Sequence, residues 1–128
     1  MSALVVDTSS WVSYFSSSGP SVIDEALAEG RVFLPPVVVA ELVSGRLTFR
    51  QRADLESFLS DLPLCAVDFE HWLRVGALRA QLSSVGISVS TPDAHIAQCA
   101  LDLHCDLLSD DGIFLKIAKK TALKLLGG

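Results

Sequence analysis

Acidic residues at four separated places in the chain have neighbours that suggest a chemical role. They are Asp7, Glu41, Asp93 and the adjacent pair Asp110 and Asp111. Brought together in one pocket, these carboxylates would repel one another and raise each other's pKa values. A hard divalent cation removes that conflict, and oxygen ligands are the ones that Mg²⁺ and Mn²⁺ prefer. The residue types therefore predict a Mg²⁺ or Mn²⁺ site, where the cation can bind a phosphate oxygen and activate water.

Strands and helices alternate along the sequence, and this alternation decides where the acids can meet. Apolar runs predict strands over residues 3–6, 31–34, 62–67, 106–108 and 123–126. The pattern is typical of an α/β protein, a three-layer α/β/α sandwich around a central parallel five-stranded sheet with right-handed crossovers. Ligands bind beyond the carboxyl ends of such strands. Asp7 and the pair Asp110 and Asp111 follow two of the runs, so we expect them at the same edge of the sheet.

Two of the predicted helices carry the remaining acids. Residues 37–43 are ambiguous, because three adjacent valines favour a strand, whereas the preceding prolines and the later Gly45 favour a helix. We predict a helix, which makes Glu41 the one charged residue of an apolar element. The second helix starts at Thr91-Pro92-Asp93, with Thr91 as its N-cap and Asp93 in its first turn.

Length and composition limit the class of protein. The chain has 128 residues, half of them hydrophobic, which suits a single domain over residues 1–128. Helical spacing places Trp11, Phe15, Trp72 and Leu82 in its core. The net charge of −5 argues against a protein that coats nucleic acid. The sequence has no membrane span, no signal peptide and an odd number of cysteines, so we expect reduced thiols and a cytoplasmic location.

Other interpretations of these residues stay open. The acids could cap helices in a non-catalytic α/β interaction module. Asp7 could be the nucleophile of a phosphatase-like enzyme, although Thr8-Ser9-Ser10 supplies no second acid to protonate a leaving group. His95 is a minor candidate for a general base. A zinc site is the fourth alternative, but its donors suit a tetrahedron poorly, so core thiols and surface histidines are favoured. Its four donors would be His95, Cys99, His104 and Cys105.

Four motifs, in order, give the chain a resemblance to PIN domains, and especially to the VapC-type toxins of bacterial and archaeal toxin–antitoxin pairs. They are Val-Val-Asp7-Thr8-Ser9, Val-Ala-Glu41-Leu, Thr91-Pro-Asp93-Ala-His-Ile-Ala and Leu-Leu-Ser109-Asp-Asp111-Gly-Ile-Phe114. The resemblance implies the sheet order 3-2-1-4-5. It also implies an endoribonuclease that holds Mg²⁺ or Mn²⁺ with Asp7, Glu41, Asp93 and Asp111. Ser109 stands where the family usually has threonine, and Asp110 falls on a variable position, which makes it the second choice for the fourth acid.

The resemblance further implies supporting residues and partners. Thr8 or Ser9 would assist the metal ligands. A homodimer is expected, together with an antitoxin that inserts a peptide near the acids and often places an arginine among them. Part of the segment 47–59 is expected to face such a partner. Basic side chains after the second and fourth acids are most often a solvated face, but here they could bind RNA phosphates. These are Arg46, Arg50, Arg52 and Lys116.

Overall fold

A computed structural model describes residues 2–17 and 21–127 of the chain. Its strands are β1 (Leu4–Val6), β2 (Val32–Phe33), β3 (Asp106–Leu108) and β4 (Lys124–Leu125). Its helices are α1 (Thr8–Ser16), α2 (Val22–Ala28), α3 (Pro36–Val43), α4 (Phe49–Ser60), α5 (Phe69–Ser84), α6 (Thr91–Leu103) and α7 (Gly112–Ala118). Helices flank a parallel sheet, so the predicted α/β class is confirmed.

The sheet has the strand order β2-β1-β3-β4, and each neighbouring pair is parallel. Strand β1 lies in the middle, where Leu4 pairs with both Val32 and Asp106. Its three side chains are at most 2% exposed, as expected for a parallel strand that is covered on both faces.

The prediction of a fifth strand over residues 62–67 is wrong. This segment makes a single parallel bridge, between Leu34 and Leu64, on the far side of β2. The bridge lies where the order 3-2-1-4-5 places the missing strand. A longer ladder is prevented because β2 is followed by Pro35 and Pro36, which have no backbone N–H to donate.

Helix α3 forms as predicted, in spite of its three consecutive valines. Pro36 occupies its first position and Pro35 its N-cap, where the missing N–H groups cost nothing. The start of α6 differs by one residue from the prediction, because Ser90 and not Thr91 is the N-cap. The Ser90 hydroxyl accepts a hydrogen bond from the backbone N–H of Asp93 at 3.3 Å. Thr91 is the next residue along the chain and already belongs to the helix, so it does not cap it.

Helix α6 is the most deeply buried helix among the described elements. Every residue from position 94 to position 100 is buried, where α6 packs against α5, α3, α7 and the sheet. Trp11 and Leu82 belong to the core as predicted, but Phe15 and Trp72 are 45% and 44% exposed, so their assignment to the core was wrong. Helical spacing finds the apolar stripe but not its edges, and both aromatic rings lie at such an edge.

None of the described helices is long and apolar enough to cross a membrane.

Candidate active site

Asp7 lies where β1 ends and α1 begins, and its carboxylate is held by three neighbours. It accepts hydrogen bonds from the backbone N–H of Ser10 at 2.9 Å and from the hydroxyls of Ser9 at 3.0 Å and Ser109 at 2.6 Å. The residue is only 4% exposed. Asp7 is thus an N-cap, but an ionised carboxylate has about four acceptor sites, so capping leaves room for a cation.

Ser109 ties the ends of two adjacent strands together. While its hydroxyl donates to Asp7, it also accepts the backbone N–H of Asp111 at 3.0 Å. Asp111 in turn caps α7, accepting from the N–H of Ile113 at 3.1 Å. The turn after β3 therefore positions Asp111 relative to Asp7, at the edge where the sequence predicts both.

Glu41 reaches the same region from α3. It is exposed to solvent, and its Oε1 accepts a hydrogen bond from the hydroxyl of Thr8 at 2.6 Å. Thr8 is the first residue of α1 and directly follows Asp7. This contact links the second acid to the segment that carries the first.

Asp93 lies in the first turn of α6, and its pKa is affected by the other three acids. Burial raises the pKa of Asp93 above its ordinary value, and the charges of Asp111, Glu41 and Asp7 raise it further, while a hydrogen bond with Ser90 acts in the opposite direction. Negative charges from four segments therefore act on one another at one edge of the sheet, although no three of these carboxylates bring an oxygen each within 4.8 Å of the others.

No cationic side chain neutralises this group in the part of the chain that the structure describes. The ion pairs within 4.0 Å there involve Glu29 and Asp102 only. The donor set consists of carboxylate oxygens, with hydroxyl groups beside them, which suits Mg²⁺ or Mn²⁺. Residues present and charge balance both fit a hard divalent cation.

Comparison with protein families and with solved structures identifies the family and the fold of the chain. The PIN domain family model matches residues 4–120. The chain belongs to the PIN domain family. A comparison with curated proteins gives no match.

Solved structures share the fold of this PIN domain over nearly its whole length. A chain of the DNA-bound VapBC of Salmonella typhimurium matches with a TM-score of 0.80 and 22% identity, over 98% of this chain and 97% of that one. VapBC2 of Rickettsia felis, bound to a DNA fragment from its promoter, matches with a TM-score of 0.77 and 20% identity, over 96% of both chains. VapBC-5 of Mycobacterium tuberculosis, a member of the VapBC family of toxin–antitoxin systems, matches with a TM-score of 0.68 and 26% identity, over 98% of both.

The structure of this PIN domain separates the two adjacent acids after β3. Asp110 lines a different cleft, of about 240 Å³, together with Tyr14 and Val22 from α1 and α2. Among the charges that raise the pKa of Asp93, that of Asp111 has the largest effect. Asp111 is therefore the better candidate of the pair for the fourth acid.

The basic residues fall into two kinds. Arg46, Arg50 and Lys116 are exposed, the first between α3 and α4 and the other two on α4 and α7. Arg52 is half-buried and donates a hydrogen bond to the carbonyl of Val43, at the end of α3. Arg52 thus already has a structural role in joining α3 to α4.

The histidine and cysteine side chains are arranged differently from the sequence-based alternative. His104 is exposed, but His95 is buried, so the expectation of surface histidines fails at His95. Burial, and next the neighbouring His71, lower the pKa of His95 to about 4. His95 is 1% exposed, with Nδ1 2.8 Å from Nε2 of His71, which leaves it unsuited to act as a general base on a substrate.

Sequence reasoning missed two members of this buried group. His71 on α5 hydrogen-bonds Asp102 on α6 through Nδ1 at 2.7 Å. The partners lie 31 positions apart in the sequence, and no local motif marks them. The sequence contains only a weak indication that His71 is buried. It falls on the same helical face as Val75, Leu78 and Leu82, which are all buried.

Proposed function

We propose that this PIN domain is a metal-dependent endoribonuclease, the toxin of a type II toxin–antitoxin pair. The observation that carries the proposal is the convergence of Asp7, Glu41, Asp93 and Asp111 without a neutralising side chain in the described residues. Such a group is electrostatically unfavourable on its own, so its arrangement is best explained by a bound cation.

In this proposal the four carboxylates hold one or two Mg²⁺ or Mn²⁺ ions. A bound cation would stabilise negative charge on a phosphate and lower the pKa of a water molecule. The hydroxyls of Ser9 and Ser109 fix the orientation of the Asp7 carboxylate, and the hydroxyl of Thr8 fixes that of Glu41. The chain's own contribution is therefore a set of oriented oxygen ligands at the carboxyl ends of the strands.

The proposed substrate is RNA, bound through its phosphates. Arg46, Arg50 and Lys116 are exposed and available to phosphates, which position a nucleic acid without reading its sequence. The phosphatase alternative is less well supported, because the residues that follow Asp7, Thr8-Ser9-Ser10, include no second acid to protonate a leaving group.

The proposed partner is an antitoxin protein, since the solved relatives are VapBC structures and one is described as a toxin–antitoxin system. An apolar cleft of about 270 Å³ between α3 and α4 offers a place for it, with Val39, Val43, Leu59 and Leu64 in its wall. An arginine from the antitoxin could neutralise the acids in the absence of metal. We also propose that the toxin forms a homodimer.

The decisive experiment compares Asp7→Asn with Asp110→Asn. Each removes one negative charge from the same edge of the sheet, but only Asp7 belongs to the acidic group. We expect Mg²⁺- or Mn²⁺-dependent RNA cleavage, giving products with a 5′-phosphate, in the wild type and in Asp110→Asn. Asp7→Asn should be inactive while its circular dichroism spectrum stays unchanged. Full cleavage by a folded Asp7→Asn protein would refute the assignment.

A further inference from the structure

A second group of potential metal ligands lies away from the acids, between α5 and α6. His71 comes from α5, and His95 and Cys99 come from one face of α6, four residues apart. One ligating atom from each of the three lies within 4.8 Å of the others. Their side chains are at most 1% exposed, so the proposed nuclease reaction does not use them.

The orientation of His71 is fixed in the way that metal-binding histidines require. Its Nδ1 lies 2.7 Å from Oδ2 of Asp102, and Asp102 is itself held by Arg74 at 2.9 and 3.0 Å and by Gln98 at 2.8 Å. Burial acts to raise the pKa of Asp102, but the hydrogen bonds from Arg74, His71 and Gln98 outweigh it and lower the value to about 2. An ionised carboxylate on one ring nitrogen leaves the other, Nε2, as an electron-pair donor.

A fourth donor is present at the same place. Cys65 and Cys99 line the same cleft, and the nearby Cys65 thiol together with burial raises the pKa of Cys99. The position of Cys65 is fixed by the bridge beside β2, because its backbone N–H donates to the carbonyl of Leu34 at 2.8 Å. Three separate segments thus bring two imidazoles and two thiols together.

A cleft of about 370 Å³ leads from the surface to the two cysteines of this group. The cleft is lined by both thiols and by Asp102 and Arg74. Arg74 is 48% exposed, so the cleft opens at the surface. An ion can therefore arrive without unfolding of the helix pair.

We propose that His71, His95, Cys99 and Cys65 form a tetrahedral site for a transition-metal cation of the Zn²⁺ type. Two imidazoles and two thiolates are a donor set that Zn²⁺ prefers and that Mg²⁺ does not. A bound ion would cross-link α5, α6 and the segment that follows the Leu34–Leu64 bridge. It would thereby stabilise the position of α6, the helix that carries Asp93.

The movement that binding requires between the two imidazoles is small, and the protons balance. His71 Nε2 and His95 Nδ1 are now 2.8 Å apart and share a proton. Two ligands at the usual Zn–N distance need about 3.3 Å, so the rings separate by about half an ångström. The shared proton moves to Nε2 of His95, and the two thiols release one proton each to solvent, which leaves an electrically neutral centre.

The test uses Co²⁺ as a spectroscopic probe on the full chain, reduced with a phosphine. We expect one equivalent of Co²⁺ to produce a thiolate-to-metal charge-transfer band, and Zn²⁺ to abolish it by displacement. The acidic site cannot give this signal because it contains no sulfur, so Asp7→Asn should show the same band. Absence of the band in the wild type would overturn the proposal, in which case the four side chains form only a hydrogen-bonded network.

Three variants assign the ligands. Cys99→Ser should lose the band, whereas Cys105→Ser, which removes another buried cysteine of this chain, should keep it. Asp102→Asn should weaken Zn²⁺ binding about 10–100-fold through His71, as measured by competition with a chromophoric chelator. A band that persists in Cys99→Ser, or disappears only in Cys105→Ser, would contradict the assignment. Since the wild-type measurement decides the existence of the site, a variant that fails to fold leaves the test intact.

Discussion

At the scale of single residues, Ser109 connects two of the candidate metal ligands through its hydroxyl group. Its hydroxyl donates to Asp7 at 2.6 Å and accepts from the N–H of Asp111 at 3.0 Å. Removing a group that orients a metal ligand typically costs 10–100-fold in metal affinity or activity. We therefore expect Ser109→Ala to lower Mn²⁺ affinity and RNA cleavage by about 10–100-fold.

Ser109→Thr provides the matched control, because threonine keeps the hydroxyl and adds only a methyl group. Calorimetric Mn²⁺ titration and single-turnover cleavage would measure both variants. Equal activity of the alanine and wild-type proteins would show that Ser109 does not orient Asp7 in the working enzyme.

Asp93 gives a prediction about pH and stability. Its pKa in the folded chain is raised above the ordinary 3.8, by burial first and then by the other acids. The folded state therefore holds the proton more tightly than the unfolded state, so stability is lost as the pH rises from below 3.8 through the folded pKa. At pH 7 and in the presence of a chelator that removes divalent metal ions, Asp93→Asn should melt at a higher temperature than the wild type, because it lacks the ionised carboxylate.

That gain should shrink as the pH falls below 3.8, where wild-type Asp93 is also neutral in both states. Thermal melts of the two proteins across this pH range would measure the difference. A difference that does not change with pH would show that the gain comes from something other than charge. Added Mn²⁺ should reverse the order of the melting temperatures, because only the wild type has the complete set of ligands.

The positions of the candidate site residues could be predicted from the sequence where these residues lie at the ends of helices or strands. Asp7 and Asp111 follow strands, and Asp93 opens a helix, so local patterns place them at one edge. His71 and Asp102 could not be found in this way, because each lies within a helix and their contact depends on how α5 packs against α6. Local sequence determines the elements, but not the register between two packed helices.

At the scale of elements, the same limit explains which strands and helices were predicted. The helix at Pro36–Val43 could be predicted because proline geometry at its start outweighs the weak preference of valine for strands. The strand expected over 62–67 could not be excluded, since its failure depends on Pro35 and Pro36, which follow the neighbouring strand β2. A strand requires a partner with free backbone groups, and the partner is not visible in the strand's own sequence.

The cleft between α3 and α4 leads to a prediction about the proposed antitoxin. Leu64 lines this cleft and is 57% exposed, while its neighbours hold the bridge to Leu34 through backbone atoms alone. A charge at Leu64 should therefore weaken binding of an apolar partner without unfolding the sheet. We expect Leu64→Asp to reduce co-purification with the proposed antitoxin.

Leu73→Asp on α5 is the control, because Leu73 is also 57% exposed but does not line the cleft. Both variants should keep the melting temperature and RNA cleavage of the wild type when the toxin is alone. Loss of the partner from Leu73→Asp, with normal binding by Leu64→Asp, would move the antitoxin to a different face.

At the scale of the whole molecule, the charge distribution has to reconcile an acidic protein with the proposed RNA substrate, which is a polyanion. The net charge is −5, so RNA must be held by a local cluster of positive charge rather than by the general field of the protein. Arg46 and Arg50 are exposed in the segment that follows Glu41, whereas Arg52 already bonds the end of α3. The first two are therefore the arginines expected to contact phosphates.

The double variant Arg46→Ala/Arg50→Ala should bind RNA more weakly and with a smaller dependence on salt. Each lost contact with single-stranded RNA should flatten the slope of log K against log salt by about 0.7. Binding is best measured in an Asp7→Asn background, so that the RNA stays intact. Lys124 is exposed on β4, and Lys124→Ala should leave the salt slope unchanged. The double variant Arg46→Lys/Arg50→Lys keeps both positive charges and should retain most of the salt slope. An unchanged slope in the alanine variant would mean that the phosphates lie elsewhere, and Lys116 on α7 would then be the next residue to neutralise.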